Sequence, residues 1–190
     1  SKYNMKIFLL GDIGSYTNDT KIILKNINSY INEEDVYFLL GDNFYPNGVN
    51  DINDNKWNNI SIYKETNNIY PVLGNHDYLG SVQSQIDCKI PNWKFKNYYY
   101  MKTFDNIDFF FIDTSILLPN HSNLNADIIQ SKINKNIVDL KNEMLEWLNS
   151  KLNESKNTKI LIGHYPMVSY GVYGINNELM YELLPIIKKY

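Results

Sequence analysis

Phe38-Leu39-Leu40-Gly41-Asp42-Asn43-Phe44-Tyr45-Pro46-Asn47-Gly48 is the stretch that decides how this chain folds. An apolar, strand-forming run stops at a glycine, and the next residue carries a carboxylate. A buried strand that ends this way delivers a polar side chain to the edge of a sheet. The pattern recurs upstream as FLLGDIG (Phe8 to Gly14) and downstream as YPVLGNHDY (Tyr70 to Tyr78) and ILIGHYP (Ile160 to Pro166). Four such strand ends brought side by side collect Asp12, Asp42, Asn75, His76 and His164 in one place.

That set of side chains has the chemistry of a metal site. Asp12, Asp42, Asn75 and His164 offer hard oxygen and borderline nitrogen donors, a mixture that suits Fe, Zn or Mn and not a thiolate zinc site. Two metals roughly 3.5–4 Å apart need a carboxylate between them. Asp42, following the central one of three N-terminal strands, is the natural bridge. The glycines ahead of the ligands permit tight turns and close backbone approach.

Outward from these motifs the chain reads as α/β. Lys6 to Leu10 is a strand, and Asp19 to Ile31 a helix with Ile22, Ile23, Ile27, Tyr30 and Ile31 on one face. Val36 to Leu40 is the second strand, and Tyr70 to Leu73 the third after a polar stretch over 50–68 around Trp57. This order argues for βαβ units and a largely parallel sheet. Tyr98 to Phe104 and Ile107 to Ile112 flank Asp105-Asn106 and read as an aromatic antiparallel hairpin. Residues 117–136 are polar and loop-like, Ile137 to Leu152 is an amphipathic helix carrying Leu140, Met144, Trp147 and Leu148, and Lys159 to Ile162 is a further strand. A Gly/Tyr-rich loop and a helix from Asn177 complete the chain.

Composition narrows the function classes. The 190 residues fit one domain, 1–190, with room for a sizeable core. A net charge of -3 implies no large basic face, and no nucleic-acid-binding signature appears. No apolar run approaches the ~20 residues of a membrane-spanning helix, and Met5 to Leu10 already belongs to the first strand, so no signal peptide is visible. The single cysteine, Cys88, excludes an intrachain disulfide and reads as a small semi-buried residue. His121, in a polar loop, reads as exposed. Four N-x-[ST] sequons begin at Asn18, Asn59, Asn120 and Asn153, a number that the abundance of Asn explains without secretion.

GDIG, GDNFYPNG, GNHDY and GHYP, in this order, resemble the motifs of the metallophosphoesterase superfamily, and within it the purple acid phosphatases of the small tartrate-resistant type. Asn92 through Tyr100, Phe109 to Thr114 and the helix around Trp147 are similar too, so the resemblance covers nearly the whole chain. It implies a four-layer αββα sandwich. Most of the superfamily carries D-x-H in the first motif, whereas Gly14 stands here, and Tyr45 follows Asp42 by three residues. Gly14 and Tyr45 together match the purple type, named for the charge-transfer band of a tyrosinate on Fe(III).

The resemblance implies hydrolysis of phosphate monoesters by hydroxide activated at a binuclear centre, releasing inorganic phosphate. Asp12, Asp42 and Tyr45 are then the ligands of Fe(III), and Asp42, Asn75 and His164 those of a divalent Fe, Zn or Mn. His76 is the catalytic residue, hydrogen-bonding the phosphate and protonating the leaving oxygen, with Asn75 and His164 also facing substrate. Asp77 is an orienting residue. The loop from Leu117 to Asn136 corresponds in position to one that overhangs the site, which makes it mobile and a limit on substrate access. The implied compartment is secreted, lysosomal or vacuolar. Oligomeric state is not encoded.

One departure stands out. The family closes its site with a later G-H-x-H, and this chain has only His76, His121 and His164. The match breaks off near Leu183 to Ile187, so the expectation is a chain cut short before its final strands, with weak metal affinity and poor activity as it stands. Genuine loss of the ligands is the other account. A non-catalytic relative used as an anchor or scaffold is the competing reading from another class. A protein phosphatase or phosphodiesterase on the same scaffold is argued against by Gly14 and Tyr45.

Overall fold

In the computed structural model, which describes residues 5–190, β1 (Ile7–Leu10), β2 (Val36–Leu40) and β3 (Ile69–Val72) form a parallel sheet in that order. β2 is central and pairs in register with both neighbours, Leu39 lying opposite Leu10 and Pro71. All three strands therefore end at the same edge. α1 (Asn18–Tyr30) makes the first crossover, begun by the Thr17 hydroxyl accepting the Thr20 N–H. Its inward stripe differs from the expected one. Leu24, Ile27 and Ile31 are buried, while Ile22, Ile23 and Tyr30 are more than half exposed. Seven and four residues separate Ile31 from Leu24 and Ile27, which keeps that stripe on one side of the helix and turns Ile22 and Ile23 outward.

A 3₁₀ segment, Asn55–Ile62, buries Trp57 and Ile60 between β2 and β3. α2 (Val82–Ile86) follows the third strand. The expected aromatic hairpin is β4 (Tyr100–Phe104) and β5 (Ile107–Phe111), and β6 (Thr158–Ile162) pairs parallel to β5. The four strand ends therefore do not stand in one row. Three close one sheet and the fourth closes a second, mixed sheet that faces it.

Strand alternation explains why the sheets face each other. On β2, Val36 and Phe38 point to one side, Tyr37 and Leu39 to the other. Phe38 meets Phe109 at 5.0 Å and Phe111 at 4.8 Å between ring centroids, both edge-on. With Val36, Tyr70, Val72 and Ile162 these rings form a core between the sheets. Tyr37 and Leu39 instead join the α1 side, and Phe110 joins α5 (Ile137–Glu154) on the outer face of the second sheet, its ring 6.3 Å from that of Trp147. The layers run helix, sheet, sheet, helix.

Residues 117–136 are more ordered than a polar loop. α3 (Thr114–Leu117) and α4 (Ala126–Lys132) bracket it, with Leu124, Ile129 and Ile133 buried. Asn caps begin α4, α5 and α6 (Asn177–Ile187) through Asn125, Asn136 and Asn176. Part of the Asn-rich composition is thus helix-capping chemistry. Cys88 is buried, which pushes its thiol pKa up and keeps it an unreactive thiol.

Candidate metal centre

Asp12 and Asp42 follow β1 and β2 in the left-handed region, at φ 56° and 54°. Non-glycine residues rarely hold such angles, and the strain of about 1–3 kcal/mol each is found where the surrounding structure enforces it. The enforcement is visible. Asp12 N–H donates to the Gly41 carbonyl at 3.3 Å, and Gly14 N–H to the Asp42 carbonyl at 3.1 Å. The two turns are thereby laid side by side, with both carboxylates pointing out of the sheet edge.

Tyr45 closes this corner. Its hydroxyl donates to Asp42 Oδ2 at 2.6 Å and lies 3.1 Å from Asp12 Oδ1. Burial first, then the bond to Asp42 and the charges of Asp42 and Asp12, hold its phenol well above the usual pKa range. A phenolate is stable between two carboxylates only when a cation shares the space.

His164 reaches the same place from the second sheet. Its Nδ1 lies 2.8 Å from the Leu40 carbonyl, so Nδ1 carries the proton and Nε2 presents a lone pair. That Nε2 is 3.6 Å from Asp42 Oδ1 and 3.1 Å from Asn75 Oδ1. Three acceptors therefore converge on one point, an arrangement a cation relieves. Asn75 is fixed by its amide donating to Asn123 Oδ1 at 2.7 Å. Gly41 (φ 93°) leaves room for the imidazole, because a Cβ there would lie 2.6 Å from His164 Nδ1. Asp12, Asp42 and His164 present ligand atoms all within 4.8 Å of one another. The donor set fits a hard or borderline metal ion.

His76 stands beside the cluster. Its backbone N–H donates to Asp42 Oδ1 at 3.0 Å, its Nδ1 is 2.6 Å from the Pro46 carbonyl, and its ring lies 4.5 Å from that of Tyr45. Asp77 does not hold it. The Asp77 carboxylate, fully buried, instead accepts Asn43 N–H at 3.1 Å, Gly74 N–H at 2.9 Å and the Gln85 amide at 2.9 Å. It pins the backbones next to Asp42 and Asn75. Burial pushes its pKa up to about 6, against the lowering effect of those donors. Asp113 is a second buried carboxylate below the site. It accepts from the Tyr78 hydroxyl at 2.6 Å and caps α3, and burial pushes it up to about 7.

A calcineurin-like phosphoesterase profile matches residues 5–188. The chain belongs to this family. Among curated relatives, the chain is similar to human tartrate-resistant acid phosphatase type 5, 30% identical over 82% of the chain and 52% of that protein. It is also similar to purple acid phosphatase 3 of Arabidopsis thaliana, 32% identical over 94% of the chain and 51% of that protein. The chain thus spans about half the length of the curated relatives it matches. Among solved structures it resembles GAP50, described as the anchor in the inner membrane complex of Plasmodium. The TM-score is 0.64 at 26% identity, covering 96% of this chain and 62% of that one.

Within this family member, Gly14 is held by geometry. A Cβ there would overlap the Asp42 carbonyl oxygen and the Asn43–Phe44 peptide. A histidine of a D-x-H motif has no room at this position. Sequence reasoning missed the wall of the cavity. His121 is half-buried, packs edge-on against Tyr165 at 4.7 Å, and lines the cavity with Asn123 and Tyr165. No local motif marks His121 and Asn123, because they approach the site only through the packing of the segment between α3 and α4; Tyr165 lies inside the GHYP motif but was not singled out.

Proposed function

We propose that this chain carries a binuclear metal centre of the purple acid phosphatase kind and that the protein hydrolyses phosphate monoesters. The observation that carries this reading is the convergence of Asp12, Asp42 and His164 within 4.8 Å, with the Tyr45 oxygen 2.6 Å from Asp42. In this reading Asp12, Asp42 and Tyr45 hold Fe(III), while Asp42, Asn75 and His164 hold a divalent Fe, Zn or Mn. When bound, the metal pair supplies Lewis acidity at the phosphoryl oxygens and lowers the pKa of water.

The chain's own residues position and protonate. The Leu40 carbonyl fixes the His164 tautomer, and Asn123 fixes the Asn75 amide. The Pro46 carbonyl holds His76 Nδ1, leaving Nε2 to hydrogen-bond a phosphoryl oxygen and, as imidazolium, to deliver a proton to the leaving oxygen. Asn75, His76 and His164 thus also face the substrate. The purple acid phosphatase relatives support a secreted, lysosomal or vacuolar compartment. Among the described residues no helix is long and apolar enough to cross a membrane.

The test is calorimetric titration of the chain with Zn(II) and with iron, followed by assay of a chromogenic phosphate ester near pH 5. Metal binding that Asp42→Ala weakens about 100-fold or more supports the reading, as does a visible band that Tyr45→Phe removes. Binding unchanged by both substitutions overturns it. The GAP50 likeness favours a second reading, an anchoring protein on a phosphatase scaffold. That reading expects no turnover whether metal is bound or not.

A further inference from the structure

Resting on the metal-centre reading, we infer that Gln85 is a positioning residue. Acting through Asp77, it sets the spacing of the turns that carry Asp42 and Asn75, and with it the metal affinity of a site whose cavity it does not line. Gln85 belongs to α2, and its side chain is fully buried. Its Nε2 donates to Asp77 Oδ1 at 2.9 Å, and its Oε1 accepts from the Asn43 side-chain amide at 3.2 Å. Asp77 in turn accepts the backbone N–H of Asn43, next to Asp42, and of Gly74, next to Asn75. Among the described residues, Gln85 is the one side chain that donates to this carboxylate.

The two turns leave little slack between them. A Cβ on Gly74 would lie 2.3 Å from Asp42 Oδ1, and His76 N–H donates to that same oxygen at 3.0 Å. Asp42 Oδ1 and Asn75 Oδ1 both face His164 Nε2. A shift of the Gly74 turn therefore changes the opening between the ligands directly, and such constellations work only when held to within about 0.5 Å. Asp77 can hold both turns only while its own carboxylate is held.

Position 85 requires an amide. Asn43 Nδ2 donates to the Val72 carbonyl at 2.9 Å, which fixes the orientation of that side chain. Gln85 must then accept from Asn43 and donate to Asp77, which takes a donor and an acceptor on the same group. A carboxylate of the same shape would set two buried anions against each other, and an alkyl side chain would leave both partners a bond short. Gln85 is itself anchored. Its backbone carbonyl accepts the indole N–H of fully buried Trp93 at 3.0 Å, and the Ser81 hydroxyl caps α2.

The experiment reads Zn(II) affinity by calorimetry, unfolding in urea, and hydrogen exchange at the Asn43 and Gly74 amides of the metal-free chain. Gln85→Glu keeps the side-chain volume and removes the donor. It is expected to weaken Zn(II) about tenfold or more and to speed exchange at both amides about tenfold. A residue that only filled space would show neither effect. Asp77→Asn added to Gln85→Glu reverses the polarity of one hydrogen bond and keeps the others, so Zn(II) affinity is expected to return to within about threefold of wild type. Leu148→Ala, at a buried position of α5, is expected to lower the urea midpoint and leave Zn(II) affinity unchanged. Wild-type Zn(II) binding and exchange in Gln85→Glu overturns the inference, as does an equal loss of affinity in Leu148→Ala. If Gln85→Glu alone does not fold, the double variant decides: a folded chain with affinity restored supports the inference, and a second failure overturns it. If wild type takes up no Zn(II), the metal-centre reading falls and exchange alone decides. Faster exchange at the two amides in Gln85→Glu then keeps the positioning role, and unchanged exchange removes it.

Discussion

The floor of the candidate site and its rim are built to opposite rules. At the floor, Asp42, Asn43 and Asn75 are nearly inaccessible, and buried Asp77 ties together the Asn43 and Gly74 backbones beside them. At the rim, Tyr170 and Val172 stand almost fully in solvent on a hairpin closed by one bridge. The floor sets where charge can be held, so its side chains are tied to their neighbours and have little freedom. The rim sets what can approach, and its side chains pack against almost nothing. Changes at the floor should therefore alter stability and metal affinity together, while changes at the rim should alter ligand choice alone.

The sharpest way to break this contrast is at Phe38, which is fully buried and meets four aromatic rings between the sheets. Phe38→Ala is expected to lower unfolding free energy by about 3–5 kcal/mol, measured in urea. Gly14→Ala comes next. A Cβ overlapping the Asp42 turn should cost about 1–3 kcal/mol and weaken metal binding in the same variant. Loss of stability with undiminished metal affinity would separate two properties that the floor is argued to join.

Asp113 sharpens the contrast through pH. Its folded pKa, about 7, lies above the ordinary carboxylate value of 3.8. The native state therefore keeps a proton that the unfolded chain releases above about pH 4. Stability is present below that pH and is lost as pH rises toward 7. Asp77, pushed up to about 6, acts in the same direction. Asp113→Asn removes the larger part, so its stability curve between pH 4 and 7 should be flatter than wild type by on the order of 2–4 kcal/mol. Parallel curves would show that Asp113 is ionised in the fold throughout. The smallest effect is expected at the rim, where Tyr170→Ser should change stability by less than about 0.5 kcal/mol.

The floor was far more legible in the sequence than the rim. Strand-Gly-ligand runs encode both a buried strand and the residue at its end, so Asp12, Asp42, Asn75 and His164 could be read from local pattern. The central place of β2 followed from the same runs. The left-handed backbone of Asp12 and Asp42 could not be read, because aspartate does not announce φ as glycine does. The outward turn of Ile22 and Ile23 was missed because consecutive apolar residues, Ile22 to Leu24, leave the helix face ambiguous. His121 reaches the cavity through tertiary packing that no short window contains.

His164 ends a strand of one sheet and hydrogen-bonds the Leu40 carbonyl of the other, across 124 residues of chain. The cluster is therefore a caliper laid across the sandwich. A slip of β6 by one residue against β5 would carry His164 about 3.3 Å along the strand, farther than any coordination bond can stretch. It follows that His164 cannot join Asp42 and Asn75 until the two sheets have docked in register. Metal uptake that depends on His164 should then appear late in refolding, as a clock for the docking event.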